Sequence, residues 1–230
     1  MQKLQKPQWG FADLIAVYIG IFLLGMFYGL GRDVLGFNTS ERLLANFYTG
    51  FVVQFTAMVG LVLLVTILIR KAVLSDIGLN RISWDDFIKY GLMGGFILIV
   101  VIFILGLPIN YFQPNLEPQA FETMLRTSVS HSDIILLFII GAILGPFAEE
   151  LFFRGMMYPV FRNKFGSIAG MVLAGAVFGL LHFDAWRAIP LAVGGIILCY
   201  IYEKTNSVLI TTVAHGFWNA CMALLVFISI

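Results

Sequence analysis

Apolar residues run almost unbroken for helix-length stretches along this chain, and polar positions gather between them. Seven stretches approach or exceed the roughly 20 residues a helix needs to cross a bilayer: 11–30, 47–69, 90–112, 133–157, 167–183, 188–203 and 207–229. Open sheet edges cannot be satisfied in lipid, and these runs are far too long for barrel strands. The pattern predicts an all-α fold, a polytopic helical transmembrane bundle of about seven spans. It divides into N-terminal helices and loops over 1–132 and a four-helix core over 133–230.

The polar joins add detail. In "RKAVLSDIGLNRISWDDFIK", Ser83 before Trp84-Asp85-Asp86 reads as a helix N-cap feeding the third span, and 70–89 as a solvated connector. In "QPNLEPQAFETMLRTSVSHSD", Pro114 and Pro118 stop that span, a short interfacial helix follows, and His131 reads as a solvated loop residue. Glycines four apart recur at Gly25/Gly29, Gly91/Gly95, Gly141/Gly145, Gly166/Gly170 and Gly175/Gly179, a spacing that lets helix backbones approach closely.

Composition agrees: 60% of residues are hydrophobic and 12% charged, against about 45–50% and 25% in soluble domains. A net charge of +1 and the lack of a basic tract exclude a nucleic-acid partner. The partners to expect are the lipid bilayer and a substrate. Cys199 and Cys221 sit inside apolar runs as small hydrophobes. Lys3 and Lys6 before the first run resemble a signal sequence, but the run has the length of an uncleaved span.

With the N-terminus inside, nine Lys and Arg fall on the inner side (Arg154 left aside) and four on the outer: Arg32, Arg42, Arg126 and Arg187. The positive-inside rule then predicts a cytoplasmic N-terminus in a plasma membrane, with Ile230 outside.

One apolar run carries charge that needs a reason: "GPFAEELFFRG", residues 145–155. A charge at mid-membrane costs about 2.5–3.5 kcal/mol or more. On a helix Glu150 and Arg154 are four apart and can pair, whereas Glu149 lies about 100° away with no local partner. Further polar groups follow at His182 in "FGLLHF" and at His215 with Asn219 in "HGFWN", where Phe178 precedes His182 by one turn as an apolar wall. Rise per residue puts Glu149 and His215 at similar depth and His182 about 10 Å away along the membrane normal. An unpaired Glu, two His and an Asn on three spans can activate water and stabilise an oxyanion, although each alone could be interhelical glue.

Glu149-Glu150-x-x-x-Arg154, Phe178-x-x-x-His182 and His215-x-x-x-Asn219, in that order on successive spans, resemble the CPBP family. This family, also called Abi, includes type II CAAX prenyl proteases and bacteriocin-processing enzymes. The resemblance covers about 133–229 and implies an intramembrane endopeptidase. By position, Glu149 would be the general base, assisted by His182. His215 and Asn219 would bind the oxyanion, with Glu150, Arg154 and Phe178 in support. It further implies a lipidated or hydrophobic peptide substrate, of prenylated C-a-a-X type, and no cofactor. Were a zinc bound, Glu149, His182 and His215 would be its two-His, one-carboxylate set. The competing readings are a non-catalytic scaffold or immunity protein, and a transporter, which would show an inverted repeat.

Overall fold

The computed structural model describes residues 6–37, 42–128 and 130–229; Lys3 and Ile230, used in the orientation argument, lie outside them. Among the described residues six helices are long and apolar enough to cross a membrane: α1 (Phe11–Val34), α2 (Leu43–Ile69), α3 (Trp84–Ile109), α5 (His131–Phe165), α7 (Ala188–Thr205) and α8 (Val208–Ile228). The short amphipathic α4 (Ala120–Thr127) lies between α3 and α5, and the shorter apolar α6 (Ser167–Leu180) follows α5. Among the described residues there is no strand. The chain is an integral membrane protein built as a helical bundle of about seven spans, and the sequence pattern located each of them.

Small residues set how closely the core helices approach. α6 and α7 make the most extensive helix contact. There the Cα of Gly175 would lie 2.8 Å from a Cβ on Gly195, and a Cβ on Gly179 would run into the Ala188 carbonyl. Gly91 and Gly95 admit Val213 and Phe217 of α8 in the same way. Gly25 and Gly29 of α1 instead have nothing within 4 Å of a Cβ, and they border a cavity.

Three expectations need correction. His131 is exposed, as expected, but it is the first residue of α5 and not part of the join, with the extended Ser130 as its N-cap. The 70–89 segment is a largely exposed connector, as expected, but it is anchored at its middle, where Ile77 is 0% exposed. Gly78 accepts from the Val208 backbone N–H at 2.8 Å, and Asn80 donates to the Asn206 carbonyl at 2.6 Å. The segment straps the bases of α5 and α8, and Gly78 is required there: it has φ +77°, and a Cβ would fall 2.6 Å from the Tyr202 ring. Ser83 does cap α3, accepting from the Asp86 N–H.

The third correction concerns depth. α6 ends at Leu180, so His182 lies in the turn beyond it. α5 continues to Phe165, and only Gly166 separates it from α6. Glu149 is 16 residues before Phe165 (165 − 149) and His182 is 15 after Ser167 (182 − 167), or about 24 and 22 Å of helical rise. The two arms of this hairpin therefore end level. The apparent 10 Å mismatch came from setting Ser167 at the inner face of the lipid.

Candidate active site

Two prolines shape α5 where it carries the site. A proline has no N–H to give and crowds the carbonyl of the preceding turn, so the helix must widen or kink. Ile140–Leu144, just before Pro146, is π-helical, and the Gly145 N–H reaches back to the Ile140 carbonyl. Continuing that i→i−5 pattern, the Gly141 carbonyl would look to residue 146, which is proline. Asn219 supplies the missing donor, its Nδ2 lying 3.0 Å from the Gly141 oxygen. Next to it, α8 touches α5 backbone to backbone, because a Cβ on Gly216 would overlap the Ala142 carbonyl. This contact holds His215 and Asn219 against the turn that leads to Glu149.

A second π-helical stretch, Leu151–Met157, precedes Pro159, and every residue in it is buried. Its Met156 carbonyl accepts from the Trp9 indole N–H at 2.7 Å, so the chain entering α1 is tied to α5 seven residues past Glu149. Such wide turns cluster at functional sites.

Between the turns, the two adjacent glutamates have different surroundings. Glu150 is 0% exposed, and its Oε1 accepts from Arg154 Nη1 at 2.6 Å and from His215 Nδ1 at 2.9 Å. Arg154, also 0% exposed, donates through Nη2 to the Gly195 carbonyl at 3.0 Å, and its guanidinium lies 4.6 Å over the Phe178 ring. The helix-spaced Glu–Arg pair therefore forms, wholly enclosed. Glu149 makes no hydrogen bond to protein among the described residues. Its side chain is 33% exposed, with His215 Nε2 4.0 Å from Oε2.

The histidine tautomers follow from their partners. A carbonyl oxygen only accepts, so His182 Nδ1, 2.7 Å from the Phe178 oxygen, carries a proton. His215 Nδ1 likewise donates to the Arg154-paired carboxylate of Glu150. Both rings are thus left with Nε2 for outside chemistry. Phe178 stands edge-on to His182 (4.7 Å between centroids) and to His215 (5.9 Å), and Trp218 stacks on His215 at 5.5 Å. Among the described residues no group of three His, Cys, Asp or Glu side chains is gathered to hold a metal.

Two cavities meet at this place, and Glu149 and His182 border both. The larger, about 760 Å³, lies between α1, α2 and the α5/α6 hairpin. The smaller, about 360 Å³, is bounded by α2, α4, α5 and α8 and reaches His215 and Asn219. All four polar residues singled out in the sequence therefore come together. The residue that titratable-group reasoning passed over is Gln54, an uncharged amide in α2 that borders the larger cavity.

Beside Asp184, in the turn after His182, burial pushes the carboxyl up in pKa. The Arg187 backbone N–H and guanidinium outweigh it and hold the pKa below the usual value. The same Arg187 donates to the Glu117 carbonyl at 3.0 Å, tying that turn to the segment before α4.

A family model described as "Type II CAAX prenyl endopeptidase Rce1-like" matches residues 131–221. Over 190 residues the chain is 23% identical to a Bacillus subtilis (strain 168) protein named "Putative membrane peptidase YdiL", covering 83% of this chain and 76% of that protein. No solved structure matches the chain. The two matches support the CPBP (CAAX protease) family for this chain, and with it a membrane peptidase.

Proposed function

Proceeding from that likeness, we propose that the chain is an intramembrane endopeptidase that cleaves hydrophobic or lipidated peptides, of prenylated C-a-a-X type, with a water activated by Glu149. The observation that carries this reading is the contrast within Glu149-Glu150. One carboxylate is locked into a buried ion pair, and its neighbour faces the junction of two cavities with no hydrogen bond to protein among the described residues, His215 Nε2 standing 4.0 Å away.

The chemistry balances as peptide plus water to acid plus amine. Glu149 takes a proton from water as the oxygen attacks the scissile carbonyl, then passes it to the leaving nitrogen as the C–N bond breaks. His182, with Nδ1 committed to Phe178, offers the Nε2 lone pair to hold that water. The oxyanion is met by the second N–H of the Asn219 amide, the first being used on Gly141, and by His215. Because Glu150 occupies His215 Nδ1, that ring donates through Nε2 only as an imidazolium. Glu150 and Arg154 keep His215 turned toward the cavity, and Phe178 walls both imidazoles.

The reading uses no cofactor. Its rival is zinc on Glu149 and the two Nε2 atoms, which would supply a Lewis acid in place of the base. Stoichiometric zinc in protein purified without added metal, with activity lost to chelator and restored by zinc, would establish that rival. The proposal also places the protein in the plasma membrane with its N-terminus cytoplasmic.

Its test is a purified-protein assay on a fluorogenic farnesylated C-a-a-X peptide and on an unlipidated hydrophobic peptide, beside Glu149→Gln. Cleavage by wild type and none by the folded variant supports the reading. Equal cleavage by both removes Glu149 from its role. No binding or cleavage of either peptide favours a scaffold or immunity protein acting by binding.

A further inference from the structure

The larger cavity holds a polar group that the proposed mechanism does not use. Gln54 lies in the middle of α2, 11 residues from Leu43 and 15 from Ile69 (54 − 43 and 69 − 54). Its side chain is exposed and borders the cavity also bordered by Glu149 and His182. It makes no hydrogen bond among the described residues.

Several threonines in the spans behave differently. Thr49, Thr66 and Thr212 each bond back to the carbonyl four residues earlier, at 2.9, 2.7 and 2.8 Å, which satisfies a hydroxyl within its own helix. The longer Gln54 amide has no such bond, and a polar group at membrane depth without a partner is expensive.

Its position suits the chemistry. α2 and α5 run in the same direction, with Tyr48 near the start of α2 donating to Asp133 near the start of α5. Farther along, the Phe51 ring lies 4.0 Å from the place of a Gly145 Cβ. Gln54 is three residues past Phe51 and Glu149 four past Gly145, and both line the larger cavity. They face one cavity from α2 and α5.

We infer that Gln54 is a substrate-binding residue of this site, pairing its carboxamide with the main chain of a peptide lying in the larger cavity. A carboxamide presents one acceptor and two donors, the complement of an extended backbone's N–H and C=O. The side chain carries no charge to select among sequences, so it recognises peptide backbone as such. The inference rests on the peptidase reading and adds to it the wall on which substrate is held.

The test compares Gln54→Met, of similar length and apolar, with wild type and Glu149→Gln, using a dansyl-labelled farnesylated C-a-a-X peptide and thermal unfolding in detergent. Losing one hydrogen bond to bound substrate should raise KM roughly 10-fold with kcat within about 2-fold. On the Glu149→Gln background the Kd should rise by the same factor. Because no protein partner is lost, Tm should stay constant or rise, whereas a residue with a merely structural role would lower it. Unchanged KM and Kd, or a lowered Tm with unchanged KM, overturns the inference; if Glu149→Gln is then still inactive, the peptidase reading survives alone. Peptide bound but not cut by wild type defeats the peptidase reading, and the Kd of Gln54→Met still decides this one. No binding by wild type overturns both.

Discussion

Two carboxylate–arginine clusters lie along α5, and they are built differently. Toward its C-terminal end, Glu203 receives Arg162 Nε at 2.8 Å and Nη2 at 2.9 Å, and Tyr158 donates to it at 2.7 Å. Both of its oxygens are used and the cluster is partly exposed. Two turns earlier, the Glu150–Arg154 pair is fully enclosed yet incomplete: Glu150 Oε2 and Arg154 Nε are buried with no partner. A bundle that needed only a staple has one at Glu203. Burying an ion pair costs several kcal/mol per ion, and leaving polar atoms orphaned costs about 1–3 kcal/mol more each. A cluster built at that cost, with His215 as its third member and a cavity beside it, is what the proposed site would use to hold His215 in place.

The largest expected effect sets Glu149, beside the enclosed cluster, apart from both clusters by activity. Glu149→Gln should lower kcat by about 10³-fold or more with Tm nearly unchanged, since its side chain bonds to no protein group. Arg154→Met should act on stability, because it strands Glu150 as a buried charge. A loss of about 3–5 kcal/mol is expected, read as a fall in detergent Tm or in yield of folded protein. Replacing Gly216 by Ala should push α8 off the Ala142 carbonyl, at a cost of about 1–3 kcal/mol, and lower kcat through displaced His215 and Asn219. In the satisfied cluster, Tyr158→Phe should cost only about 1 kcal/mol and leave kcat and KM as they were. A fall in kcat there would erase the distinction between the clusters.

The smallest effect belongs to Asp184. Its pKa is lowered in the folded protein, so its ionised form adds stability above the unfolded carboxylate pKa, and that contribution fades as pH falls through the folded value. Asp184→Asn should therefore unfold at a slightly lower temperature than wild type near neutral pH. The two Tm values should converge under strongly acidic conditions. A gap that persists or widens with acid would contradict the assignment.

Much of this was legible in the sequence, since lipid forces long apolar helices and makes each charged interruption conspicuous. The spans, the Ser83 cap, the Glu150–Arg154 pair and the grouping of Glu149 with His215 all followed from period and rise. What failed needed tertiary information. Ile77 reads as one apolar residue in a charged loop until Gly78 and Val208 pin it. The depth of His182 depended on how far α5 runs past the lipid. The widened turns at Pro146 and Pro159, which give Asn219 and Trp9 their acceptors, leave only a proline as a trace. Gln54 carries no charge, and a search for titratable groups passes over it, although a polar residue inside the second span was the available signal.

The central claim is that Glu149 activates water and does not itself attack. A single turnover of a farnesylated C-a-a-X peptide in ¹⁸O-water, with enzyme in excess, tests it most directly. The account predicts one ¹⁸O in the newly formed carboxylate of the product and none in the Glu149 side chain. Product free of label, with ¹⁸O appearing in Glu149 on later hydrolysis, would make that carboxylate a nucleophile and contradict the account.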